Sequence, residues 1–260
     1  MCIRDRPDAI RSNLIAAAAL HPGLDVALQR QGIARRAKRL VVLDVDSTLI
    51  QDEVIELIAL EAGCHDRVKA VTSAAMAGDV DFADALRQRV ELLAGLEVEA
   101  LERARRRMRL SPGARTFIRT LKRLGYTVGI VSGGFTHFTD HLREELDLDH
   151  AVANELEIVD GRLTGKVVGK VVDRAHKAEM LAEFARREHL PLSQTVAVGV
   201  GATDLDMLAA AGLGIAFNAK PVVQEAADTT VNVPFLDAVL FVLGVTRHEV
   251  EGDSLPEPFG

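Results

Sequence analysis

Asp44 and Asp46 stand one residue apart near the start of a Ser-Thr turn, and the apolar run Leu40 to Ile50 contains them both. That run reads as a buried parallel strand. Residues i and i+2 of a strand point to the same side, so both carboxylates at its C-terminal end face one pocket. Ligands of open parallel sheets bind at such strand ends. Two carboxylates placed there suit phosphoryl transfer: one attacks phosphorus while the other manages the proton of the departing alcohol. A purely structural alternative also fits, in which an Asx or Ser turn ends the strand and its carboxylates cap the helix starting near Asp52.

The neighbouring elements bear on that choice. After Asp46 the apolar period becomes helical, with Val54, Leu57, Ile58 and Glu61 in step over Glu53 to Ala62 and Gly63 closing the segment. Val68 to Met76, Phe82 to Leu93 and Val98 to Met108 continue as helices with no strand between them, so a helical cap is expected at about 53–111, ended by Pro112-Gly113. From there strands and helices alternate. Strands are expected at Tyr126 to Val131, Thr195 to Gly199, Leu213 to Phe217 and Thr229 to Val233, and Ala153 to Val168 reads as two strands joined at Asp160-Gly161. Helices are expected at Phe135 to Leu146, Arg174 to Glu188, Asp204 to Ala211, Val222 to Ala227 and Leu236 to Leu243. This is the pattern of an α/β fold with a doubly wound parallel sheet.

Three more strand ends carry polar or glycine-rich residues. Ser132-Gly133-Gly134 offers a hydroxyl and open backbone N–H groups to an anion just before a helix. Lys177 lies early in a helix, where the helix dipole prefers an acid, so it reads either as an exposed lysine or as the partner of an anionic ligand. Gly199 to Asp204 follows a fourth strand and brings an aspartate to the same rim.

Composition bounds the rest. The chain has 260 residues, 48% of them hydrophobic, with a formal charge of −7 and an isoelectric point near 5.6. A real core is affordable at this size, and the acidic balance argues against a nucleic-acid partner. Cys2 and Cys64 form no metal spacing, no stretch reaches the roughly 18 apolar residues of a membrane helix, and Met1 to Arg6 lack a signal-peptide core. A cytoplasmic protein is expected, with MCIRDR read as an assembly remnant. The arginines at 103, 105, 106, 107 and 109 read as a solvated helix face. His137 and His141 have a spacing that zinc could use but no evident third ligand. Gly199-x-Gly201 lacks the remainder of a dinucleotide fingerprint. Ala9 to Leu20 reads as a helix, His21-Pro22-Gly23 as a break, Leu24 to Leu28 as a short strand, Gly32 to Arg39 as a basic linker, and Glu251 to Gly260 as a frayed tail.

Taken together, DVDSTLIQDEVIELIA at 44–59, FADALRQRV at 82–90, VSGGF at 131–135, AHKAEML at 175–181 and VAVGVGATDLDMLAAAGLGIAFNAKP at 196–221 resemble the phosphoserine phosphatases of the haloacid dehalogenase superfamily. The resemblance spans about residues 38–248. It implies a catalytic core at 38–250 carrying the cap. Residues 1–37 resemble the tail of an ACT-like amino-acid-binding region and a linker.

Several roles follow from this resemblance alone. It implies hydrolysis of O-phospho-L-serine at the end of L-serine biosynthesis, with Asp44 as the nucleophile that becomes an aspartyl-phosphate and Asp46 as the general acid and base. It implies Mg2+ held by the Asp44 carboxylate, the Asp46 carbonyl and a fourth-loop aspartate, for which Asp204 is the remaining candidate. Ser132, Gly133 and Lys177 correspond to the residues that hold the phosphoryl group, Glu53 to the carboxylate facing the substrate amine, and Arg89 to the arginine facing its carboxylate. Met76 and Phe82 correspond to apolar cap residues that exclude water. The fourth loop departs from the family pattern G-D-G-A-N-D: Val200 stands where the metal-binding aspartate belongs, and Thr203 replaces the asparagine that would contact substrate. Other small phosphomonoesters, or binding without turnover, are the alternative readings. The expected partner is a small molecule, with no nucleic acid or membrane and with homo-oligomer formation left open.

Overall fold

The computed structural model describes residues 37–77 and 81–250, together with Asp25 and Ala27. The readings made for Ala9 to Leu20, for the break at 21–23 and for the tail at 251–260 lie outside the described residues. So does most of the segment 24–36, of which Asp25 and Ala27 belong to no regular element.

Strand β1 (Leu40–Leu43) is wholly buried at the middle of the sheet. Its partners are β2 (Thr127–Phe135), β3 (His150–Val159), β4 (Arg162–Val168), β5 (Thr195–Gly199), β6 (Gly214–Phe217) and β7 (Thr229–Val231), in the order β4-β3-β2-β1-β5-β6-β7. Leu43 pairs with Ile130 on one side and Val198 on the other, both in parallel register. Only β4 runs antiparallel, folded back on β3 at Asp160 and Gly161, whose φ values of 50° and 74° give the left-handed pair that a tight hairpin turn requires.

Successive β1 residues serve opposite faces of the sheet. Val41 and Leu43 enter one apolar cluster with Phe117 and Phe138, whereas Leu40 and Val42 enter a second with Leu181 and Phe184. Helices therefore cover both faces, and the α/β doubly wound reading holds.

The first four of the helices between β1 and β2 fall within the expected cap: α1 (Val54–Glu61), α2 (His65–Ala77), α3 (Phe82–Glu91) and α4 (Glu99–Arg105). The two chain crossings beneath them are stitched together. Ile50 and Leu110 form an antiparallel bridge, Gln51 N–H donates to the Arg109 carbonyl at 2.9 Å, and the Arg109 guanidinium meets Asp52 at 2.8 Å. The last of these pairs is surface-exposed and contributes little by itself.

A fifth helix, α5 (Ala114–Arg123), was not anticipated where the sequence reading passes from Pro112-Gly113 to Tyr126. Its signal was present, since Phe117, Ile118 and Leu121 recur at helical spacing and all three are buried. Then come α6 (Thr136–Glu145), α7 (Arg174–Arg187), α8 (Leu205–Ala210), α9 (Pro221–Ala226) and α10 (Ala238–Val242). Among the described residues no helix is long and apolar enough to cross a membrane.

Candidate active site

The apolar run at 40–50 makes a shorter strand than its composition suggests. β1 stops at Leu43, and Val45–Leu49 form one wide turn closed by Ile50 N–H donating to the Val45 carbonyl at 3.0 Å. Ser47 takes a left-handed conformation there, with φ of 57°. Asp44 and Asp46 both keep extended dihedrals on this turn, so their carboxylates reach the same pocket although neither belongs to the strand.

That pocket, of about 140 Å³, lies at the C-terminal ends of β1, β2 and β5. Asp44, Asp46, Gly133, Gly134 and Lys177 line its floor; Val200, Gly201 and Thr203 form one wall, and Glu53, Phe82 and Arg89 reach it from α1 and α3 or their leads. Ser132 sits just beneath, fully buried. Met76 lies on α2, but its side chain is outside the described residues.

Lys177 is the electrostatic centre. Asp173 caps α7 by accepting the His176 N–H at 2.8 Å, and four residues on Lys177 turns inward. Its Nζ donates to Asp44 Oδ1 and Asp204 Oδ1, each at 2.7 Å. Burial opposes its charge, but the two aspartates outweigh burial and hold its pKa above the usual lysine range. Burial pushes Asp44 up to about 8, with Asp204 adding to the shift and Lys177 opposing it. One ammonium thus faces two buried carboxylates and cannot neutralise both. Asp44 Oδ2 has no protein hydrogen-bond partner among the described residues.

Asp204 is fully committed. Oδ1 is on Lys177, and Oδ2 accepts the N–H groups of Val200 at 3.0 Å and Gly201 at 2.9 Å. It curls so tightly over Gly199 that a Cβ there would lie 2.6 Å from the Asp204 Cβ, a contact only glycine avoids. Val200 meanwhile packs its side chain against the second apolar cluster.

Asp46 is held differently. Oδ1 accepts the Val54 N–H at the start of α1 at 2.9 Å, and Oδ2 accepts the Ser132 hydroxyl at 3.3 Å. Burial and then the nearby Glu53 raise it to about 7, the range of a group that can both give and take a proton. Glu53 is itself pushed up by burial, while Ser47 Oγ donates to its Oε1 at 2.6 Å. Arg89, half-buried on α3, donates to the Ala85 carbonyl at 3.1 Å and to Thr72 Oγ1 at 3.4 Å. Burial lowers its pKa, and the negative charge of Glu53 and Asp46 acts against that.

The candidate residues on three strand ends, on α7 and on two cap helices or their leads therefore converge. Ser47 and Asn154 were not anticipated as part of this site. Asn154, buried on β3, donates from Nδ2 to the Gly133 carbonyl and accepts the Val172 N–H, each at 2.8 Å. A polar residue at an inward strand position was its one visible signal.

The other candidates fall away from this rim. Arg103 and Arg107 meet Glu61, Arg105 meets Glu102, and Arg109 meets Asp52, so these arginines serve surface ion pairs. His137 and His141 approach Glu102 and Glu145, each at 2.9 Å. No cluster of three His, Cys, Asp or Glu side chains is arranged to hold a metal among the described residues.

The model of the haloacid dehalogenase-like hydrolase family matches residues 41–209. A phosphoserine phosphatase of Streptomyces coelicolor is 64% identical over 94% of this chain and 59% of its own length. The chain thus spans about three fifths of that relative. A solved phospho-aspartyl intermediate analogue of phosphoserine phosphatase superposes with a TM-score of 0.74 at 44% identity, covering 78% of this chain and 98% of that one. A substrate-bound phosphoserine phosphatase complex gives 0.75 at 44%, covering 78% and 97%.

Proposed function

This chain belongs to the haloacid dehalogenase-like hydrolases, and from that premise we propose that it hydrolyses O-phospho-L-serine to L-serine and inorganic phosphate, the last step of L-serine biosynthesis in the cytoplasm. The observation that carries the reading is one pocket with two poles. Asp44, Asp46, Gly133 and Lys177 gather at its floor, and Glu53 and Arg89 stand at its cap side. The floor suits a phosphoryl group, and the cap side offers an anion and a cation to the ammonium and carboxylate of an amino acid.

In this reading the Asp44 carboxylate attacks phosphorus, forming an aspartyl-phosphate as the bond to the seryl oxygen breaks. Asp46 gives its proton to that oxygen and then takes one from the water that cleaves the acyl phosphate. Lys177, the Gly133 N–H and the Ser132 hydroxyl steady the transferring group, which is catalysis mainly by position and charge. Arg89 takes the substrate carboxylate because its planar fork suits two oxygens. Glu53 takes the amine, Thr203 borders the phosphoryl end, and Phe82 keeps water out. The unit that does this is the core at 38–250 with its cap at 53–111.

The donor set fits a hard divalent cation, although thinly. Two buried carboxylates share one ammonium, and Asp44 retains an oxygen for a metal. Mg2+ needs only one or two carboxylates and keeps its waters. The Asp44 carboxylate and Asp46 carbonyl would hold it, with Asp204 reached through water or after release from Lys177. When bound, such an ion would offset the repulsion between Asp44 and a phosphate dianion. Val200 favours a second reading, a relative that binds phosphoserine with impaired turnover.

Phosphate release from O-phospho-L-serine, measured with and without magnesium, tests the proposal. Magnesium-dependent release supports it, and release from other phosphomonoesters but not this one would assign a different substrate.

A further inference from the structure

The phosphoryl loop is a bulge whose backbone is held by one buried side chain. Along β2 and β3 the parallel register runs Val131↔Val152 and resumes at Phe135↔Asn154, so four residues on one strand span two on the other. Ser132, Gly133 and Gly134 are pushed out of the ladder, and bulged backbone groups lose their regular partners. Asn154, 1% exposed, replaces what the Gly133 carbonyl lost: its Nδ2 donates there at 2.8 Å, while its Oδ1 accepts the Val172 N–H at 2.8 Å. One partner can only accept and the other can only donate, which fixes the orientation of the carboxamide.

The effect extends in both directions. Across the trans peptide that follows Gly133, the carbonyl and the N–H point oppositely. With the carbonyl drawn onto Asn154, the Gly134 N–H is aimed at Ser132 Oγ, which it reaches at 2.8 Å, and that hydroxyl donates to Asp46 at 3.3 Å. On the other side Val172 immediately precedes Asp173, the cap of the helix that carries Lys177. A single carboxamide therefore joins the loop beside Asp46 to the segment that places Lys177.

We propose that Asn154 is a positioning residue for the phosphoryl-binding bulge, setting the peptides of Gly133 and Gly134 against Lys177 without touching a reacting atom. The proposal rests on the hydrolase reading given above. It predicts a defect confined to the phosphoryl end, indifferent to what the phosphate is attached to.

The test compares Asn154→Asp and Asn154→Leu with the parent on O-phospho-L-serine and on p-nitrophenyl phosphate, alongside calorimetric binding of inorganic phosphate and amide hydrogen exchange. The aspartate variant keeps an acceptor for Val172 but repels the Gly133 carbonyl, whereas the leucine variant loses both bonds. We expect kcat to fall about 100-fold for both variants and by the same factor on both substrates, the scale of a misplacement of about 1 Å. Phosphate binding should weaken in both variants. Exchange protection at Val172 should survive in the aspartate variant and vanish in the leucine one. Should the leucine variant not fold, the aspartate variant carries the test alone. Parent kcat and parent phosphate affinity in the aspartate variant would overturn the proposal, as would a loss confined to phosphoserine. A parent that hydrolyses neither ester would instead count against the hydrolase reading, and phosphate affinity in the variants would still decide the role of Asn154.

Discussion

Lys177 Nζ and Asp204 Oδ1 stand 2.7 Å apart with neither side chain more than 3% exposed, 27 positions distant in the chain. The same ammonium holds Asp44, so it is a structural counter-ion as well as a candidate phosphoryl ligand. Removing one partner of a buried charge cluster leaves the others uncompensated, at a cost of about 3–5 kcal/mol. Lys177→Met should therefore lower the midpoint of thermal unfolding as well as activity. Adding Asp204→Asn should recover part of the stability and none of the turnover. A single variant that melts with the parent would mean that the aspartates are satisfied without Lys177.

Arg89→Ala should separate substrates. Arg89 is half-buried, so the loss of carboxylate recognition belongs at the lower end of the range for such pairs, about 2 kcal/mol or roughly 30-fold in kcat/KM on O-phospho-L-serine. An aryl phosphate offers no carboxylate and should lose far less. Equal losses on both substrates would reduce Arg89 to a fastening between α3 and Thr72.

Val200→Asp should tighten magnesium. Val200 brings an isopropyl group to the pocket lining, and Asp204 already uses both oxygens inside the protein. An added carboxylate restores a hard oxygen donor. Calorimetric titration should show tighter Mg2+ binding for the variant, with turnover saturating at lower magnesium. Identical affinities would mean that another group already does this work.

Much of the site was legible because its residues sit at strand ends, where alternation and apolar runs are easy to read. The pair Asp44 and Asp46, the Ser132-Gly133-Gly134 loop and the segment from Gly199 to Asp204 all stand out in this way. The sheet was legible for the same reason, down to the hairpin at Asp160-Gly161. Lys177 was ambiguous, since helical position alone cannot distinguish an exposed lysine from one turned onto two aspartates 133 and 27 positions away. The commitment of Asp204 to its own loop was invisible, because it depends on the space over Gly199 rather than on residue type. Asn154 and α5 were missed for opposite reasons. The first acts through long-range backbone contacts, while the second showed a helical period that the break at Pro112-Gly113 drew attention away from.

The covalent route through Asp44 is the claim on which the rest depends. Parent protein mixed with 32P-labelled O-phospho-L-serine and magnesium, quenched in acid within milliseconds and digested, should yield one labelled peptide, with the label on Asp44. Asp44→Asn, which keeps the side chain's size, should fold, show no label and release no phosphate. Label on another residue, or release at the parent rate by Asp44→Asn, would contradict the account.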